Sequence, residues 1–144
     1  MISVGTKCCA KGLVSGHKDT HQMQKHTALV VEDEWLLLDI VEAELSEAGF
    51  EVVTATSGSE AINKLEHAGG DLTCLLTDIR LGQGTDGWQV AQRARELNPK
   101  LPVLYMTGDS QVHRVANAVP GSMLLSKPFA LAQLTDAVTQ LVKC

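Results

Sequence analysis

Five times along the chain, a short run of apolar, β-prone residues gives way to a segment with helical spacing, and this alternation constrains the fold more than any other feature. Residues 28–31, 51–55, 72–77, 101–106 and 122–125 read as strands. Helices are expected over 35–48, from the capping pattern Ser57, Gly58, Ser59, Glu60 to Gly69 and Gly70, over 87–97, over about 110–119, and over 130–142. Their stops are marked by Gly49, by Asn98 with Pro99, and by Pro120 with Gly121. Strands alternating with helices predict an α/β domain: a doubly wound, five-stranded parallel sheet covered on both faces. Such sheets bind ligands at the carboxyl ends of their strands, near the point where strand order reverses.

Those strand ends carry the chemistry. The first ends in Glu32 and Asp33, the third in Asp78, the fourth in Thr107 and Gly108, the fifth in Lys127, Pro128 and Phe129. In a parallel sheet all of them lie on one edge, so three carboxylates, a hydroxyl and an ammonium converge in one crevice. Three close carboxylates repel one another. A hard divalent cation removes that cost, and Mg2+ takes oxygen ligands, one or two of them carboxylates. Lys127 and the metal would neutralise a transferring phosphoryl group while Asp78 attacks phosphorus, with Thr107 as a hydroxyl donor. The set suits the making and holding of an aspartyl phosphate.

Composition excludes competing classes. With a net charge of −5, the chain lacks the basic balance expected of a protein that grips nucleic acid directly. No apolar stretch reaches the roughly 18 residues of a membrane span, and the first 26 residues have no apolar run of a secretory leader, so the cytoplasm is the expected compartment. Residues 1–26, polar and broken by Gly5, Gly12 and Gly16, are expected to form a flexible tail ahead of a domain over 27–144. Cys8, Cys9, Cys74 and Cys144 form no disulfide framework. Cys8 and Cys9 with His17, His21 and His26 match no zinc spacing. Cys74 reads as a core thiol, and Trp35 and Trp88 as covers for the domain edge.

At these residues the chain resembles the receiver domains of two-component response regulators. The resemblance rests on Leu-Val-Val-Glu-Asp-Glu at 29–34, Leu-Leu-Thr-Asp-Ile-Arg at 75–80, Asp86 with Gly87, Met106 to Gly108, and Ser-Lys-Pro-Phe at 126–129, in the family's order and over about residues 27–142. It implies the flavodoxin-like (β/α)5 receiver fold. It implies that Asp78 accepts a phosphoryl group from a phosphohistidine of a sensor histidine kinase or a histidine phosphotransfer protein. It further implies that Asp33 binds Mg2+ directly, Glu32 through water, and Arg80 through its backbone carbonyl. Thr107 and Lys127 would contact phosphoryl oxygens, and Lys127–Pro128 would be cis. The face made by the 110–119 helix, the fifth strand and the last helix, with Val112, Val115, Leu131, Leu134 and Val138, would bind a downstream target or a second copy.

Three departures stand out, one being that the 110–119 helix on the expected contact face is short and stops at Pro120. The family's aromatic switch position, three residues before the lysine, holds Leu124, so the usual inward turn of a ring has no ring to act through. The loop after Asp78 is rich in glycine and lacks the family's usual proline. Arg80 and Asp109 flank the path of an attacking water and would either tune phosphoryl lifetime or pair with each other. With no output domain after Cys144, a stand-alone regulator signalling by protein contact is expected, the alternatives being a relay intermediate, a phosphate sink, or a binding module never phosphorylated. A phosphatase working through an aspartyl phosphate needs a second acid near the nucleophile; Arg80 stands there instead. The expected protein is a switch that catalyses only its own phosphorylation and dephosphorylation.

Overall fold

A computed structural model describes residues 26–68, 71–108 and 117–143. Among the described residues nine elements follow in order: β1 (His26–Val31), α1 (Trp35–Glu47), β2 (Phe50–Ala55), α2 (Gly58–Ala68), β3 (Cys74–Asp78), α3 (Gly87–Leu97), β4 (Val103–Thr107), β5 (Met123–Ser126) and α4 (Leu131–Val142). All strand pairings are parallel, in the order β2-β1-β3-β4-β5. The chain runs outward from β1 to β2, then returns to the other side of β1. Strand order therefore reverses between β1 and β3, and a crevice opens there at their carboxyl ends. Most of the segment expected to form a helix over 110–119, with Asp109, Val112 and Val115, lies outside the described residues.

Every residue of β3 and β4 is buried, and so are the last four of β1. Central strands covered on both faces read as unbroken apolar runs, as these do. Alternate side chains feed two cores. Leu29, Val31, Leu75, Val103 and Tyr105 face α2 and α3. Ala28, Val30, Leu76, Leu104 and Met106 face α1 and α4. Cys74 lies in the second core as a free thiol, and burial pushes its pKa up to about 12, so it is unreactive. Edge strand β5 alternates instead, with Met123 and Leu125 half-buried and Leu124 exposed.

Helix α1 buries Leu38, Val41 and Leu45, spaced three and four apart on one stripe. Leu36 and Ile40, which share its apolar run, are exposed, as is Trp35. Gly49 ends the helix region with φ of 101°, a conformation that costs a glycine nothing. The capping pattern before α2 is half reciprocal. The Glu60 amide donates to Ser57 Oγ at 3.1 Å, but the Glu60 carboxylate accepts from the Thr56 amide at 2.8 Å. A complete capping box opens α3, where Asp86 and Gln89 each accept the other's backbone amide.

Tyr105 ties the two halves of the sheet's α3 side together. Its ring lies 4.8 Å from that of Trp88, and its hydroxyl accepts the Val119 amide at 3.1 Å ahead of β5. Tyr105→Phe leaves that buried amide unpaired. The expected cost is about 1–3 kcal/mol, read as a lower midpoint in urea denaturation with an unchanged slope.

Candidate functional site

Four of the five strand ends deliver groups to the crevice, β1 two of them. β1 stops at Val31, the Glu32 amide closes the β1–β2 ladder on the Ala55 carbonyl at 3.1 Å, and the Glu32 side chain is 1% exposed. Asp33 follows on the solvent side. β3 places Asp78, whose Oδ1 accepts the Arg80 amide at 3.3 Å. β4 places Thr107, buried. The Lys127 amide donates to the Thr107 carbonyl at 2.7 Å, extending the β4–β5 ladder past Ser126 and aiming the lysine back along the edge. The Lys127–Pro128 peptide is cis, as expected.

Lys127 Nζ then sits 2.9 Å from Glu32 Oε1 and 2.9 Å from Asp78 Oδ2, a single ammonium shared by two carboxylates. One oxygen each from Glu32, Asp33 and Asp78 lies within 4.8 Å of the others. Burial, with the charge of Asp78 beside it, pushes the Glu32 carboxyl up to about 7 against the pull of Lys127. Burial also opposes the Lys127 charge, but the two carboxylates outweigh it and hold the ammonium above its usual value. Clustered carboxylate oxygens are what a hard divalent cation takes, and their withdrawal from water makes that charge costly to leave uncompensated. An open pocket of about 460 Å³, lined by Asp78, Arg80, Thr107, Gly108 and Lys127, adjoins this cluster.

Glu32, Asp33, Asp78, Thr107, Lys127 and Arg80 are thus brought together. Leu124 is not among them: it is 47% exposed and lines a separate cavity of about 300 Å³ with Trp88, Tyr105, Val119 and Pro120. His26 belongs to β1, its ring 5.7 Å from that of Phe50; Cys8, Cys9, His17 and His21 lie outside the described residues, as does Asp109. Trp88 covers the edge beside Tyr105, whereas Trp35 is 69% exposed. Two neighbours of the site enter the sequence reading only as parts of motifs, with no role assigned. Thr77 donates its hydroxyl to the Asp78 carbonyl at 2.9 Å, and Gly87 lies hard against that same carbonyl. The glycine had a signal, a helix start with a glycine just inside the cap; the threonine, in a strand it suits, had none.

A family model described as "Response regulator receiver domain" matches residues 28–139. TrcR, a transcriptional regulatory protein of Mycobacterium tuberculosis, is 34% identical over 80% of the chain and 44% of its own length. The chain spans a quarter to a half of the length of the curated relatives it matches. Among solved structures, a response regulator receiver protein from Sinorhizobium medicae is 42% identical, with a TM-score of 0.78 over 83% of this chain and 96% of that one. The receiver domain of the hybrid histidine kinase CckA is 28% identical, with a TM-score of 0.70 over 81% of this chain and 98% of that one.

The raised Glu32 pKa carries a pH signature. Between the ordinary carboxylate range and about pH 7 the folded protein holds a proton that the unfolded chain has released, so stability falls as pH rises through that window. The loss is on the order of a few kcal/mol, at about 1.4 kcal/mol per pKa unit. With divalent ions chelated, urea titrations from pH 4 to 8 should show that decline, and Glu32→Gln should flatten it.

Proposed function

The chain belongs to the response regulator receiver domain family, and from that premise we propose that it is a phosphorylation switch whose phosphoacceptor is Asp78. The observation that carries the reading is the Lys127 ammonium, 2.9 Å from the Asp78 carboxylate, in a crevice where three carboxylate oxygens cluster. The phosphoryl donor is a phosphohistidine on a sensor histidine kinase or a histidine phosphotransfer protein. An oxygen of Asp78 attacks phosphorus as the phosphorus–nitrogen bond breaks. The bonding pair stays on the imidazole, and Asp78 becomes an acyl phosphate. Lys127, already aimed at Asp78, meets a phosphoryl oxygen as a point charge. Thr107 supplies a hydroxyl donor to another.

Receiver domains bind Mg2+ in an acidic pocket, and Glu32, Asp33 and Asp78 form one of suitable donors here. We assign Asp33 and Asp78 as direct ligands, Glu32 as a ligand through water, and the Arg80 backbone carbonyl as a further oxygen donor. The metal supplies positive charge to the phosphoryl group and to the carboxylates that hold it. Hydrolysis of the acyl phosphate is the only turnover, so the domain is a switch and not an enzyme with a separate substrate.

Phosphorylation shifts the population of a conformation that a target protein, or a second copy, reads by contact. We place that contact on the β5–α4 face, where Leu124 and Leu131 are exposed. A relay intermediate or phosphate sink is the second reading, favoured by the likeness to the receiver of a hybrid histidine kinase; return of the phosphoryl group to a histidine donor would select it.

The test is intact mass after incubation with acetyl phosphate. One phosphoryl group should be gained with Mg2+, and none after chelation or in Asp78→Asn. Lys127→Ala loses a charge-assisted contact of about 1.5–3 kcal/mol, so phosphorylation should slow by roughly ten- to a hundredfold. An adduct that persists in Asp78→Asn would overturn the assignment.

A further inference from the structure

We propose that Thr77 is a positioning residue for phosphoryl acceptance, acting through the main chain of Asp78. The inference rests on Asp78 being the acceptor. The last register pair between β1 and β3 joins Val31 to Thr77, where β1 ends, and the Glu32 amide that follows bonds to β2. Asp78 is thus the first residue of β3 beyond its β1 partner, at the point where the nucleophile must be held most firmly.

Three contacts take over. Thr77, 0% exposed, donates its hydroxyl to the Asp78 carbonyl at 2.9 Å. On the other strand, the Ile79 amide donates to the Met106 carbonyl at 3.1 Å. Gly87, the first residue of α3, donates its amide to the Ile79 carbonyl at 2.8 Å and lies so close that an added Cβ would stand 2.1 Å from the Asp78 carbonyl oxygen. The Asp78–Ile79 peptide is therefore gripped from three sides. The carboxylate keeps only its side-chain torsions, and the Arg80 amide and Lys127 ammonium restrain those.

Thr77 is a favoured strand residue in any sheet, but valine would serve the strand equally. What valine lacks is the hydroxyl, and a buried hydroxyl is costly without a partner. Its partner here is the carbonyl of the acceptor itself. The pocket is lined by other residues, so Thr77 acts without touching the phosphoryl group. Displacements of about 1 Å at a reacting atom can cost on the order of a hundredfold in rate, so loosening this peptide should show in the chemical step and leave donor binding unchanged.

The experiment measures phosphorylation rate against acetyl phosphate concentration, with Mg2+, for the full chain and for Thr77→Val, Thr77→Ser and Asp78→Asn, below each protein's unfolding transition. Thr77→Val should lower the maximal rate about tenfold, a part of that positional penalty, with the half-saturating donor concentration unchanged. Thr77→Ser should restore the rate to within about twofold, since it restores the donor. Thr77→Cys, a weaker donor of similar size, should fall between them and gives a second test should the valine protein not fold. A folded Thr77→Val at the wild-type maximal rate, a serine variant as slow as valine, or a cysteine variant at full rate would overturn the proposal. An adduct in Asp78→Asn, or none in the wild type, would instead overturn the assignment of Asp78, and this inference with it.

Discussion

Two carboxylates share one ammonium at the carboxyl edge of the sheet, and the shape of that edge depends on how the shortage of positive charge is met. Glu32 and Asp78 both reach Lys127 at 2.9 Å, and Glu32 does so from complete burial. Withdrawing a carboxylate from water costs several kcal/mol, which attraction repays only in good geometry. That geometry comes from the strands. β5 must pair with β4 in register for Lys127 to arrive, and the Lys127 amide must find the Thr107 carbonyl. Burial, with the charge of Asp78 beside it, pushes the Glu32 carboxyl toward neutrality even with Lys127 in contact. The crevice is electrostatically unfinished as protein alone, with Asp33 on its solvent side.

Much of this arrangement was legible in the sequence, because a parallel sheet converts strand order into neighbourhood. The pair Glu32 and Asp33, then Asp78, Thr107 and Lys127, are far apart along the chain, yet they close four different strands, and strand ends share an edge. The α1 face was harder. Leucines at 36, 37 and 38 fit several helical phases equally, and only packing on the sheet selects the one with Leu38, Val41 and Leu45 inside. Near the chain's turns, the Asp86–Gln89 box was hidden within a loop read mainly for its glycines, and Glu60 passed over Ser57 to reach Thr56. Contacts set by register left no local trace: the Tyr105 hydroxyl meets an amide fourteen residues on, and the Thr77 hydroxyl turns to its neighbour because β1 has departed.

The aromatic bulk on the α3 side of the sheet also sits differently from the family expectation. Leu124 stands on β5 where a ring is usual, while Tyr105 and Trp88 fill the space one strand inward. Tyr105 and Thr107 point to the same side of β4, two residues apart, as strand alternation requires. Thr107 at the site and the Val119 amide are therefore linked through β4 itself and a phenol held at both ends.

The spread of the site along the chain also has a temporal side. Glu32 and Lys127 are separated by 95 residues, and the lysine follows β5, the last of the sheet's five strands in chain order. Contacts this distant form only after the intervening loops have closed. A nascent or half-folded chain can hold the acceptor strand without its ammonium. Competence to receive a signal is thereby tied to completion of the sheet, and a chain that has not finished folding stays silent.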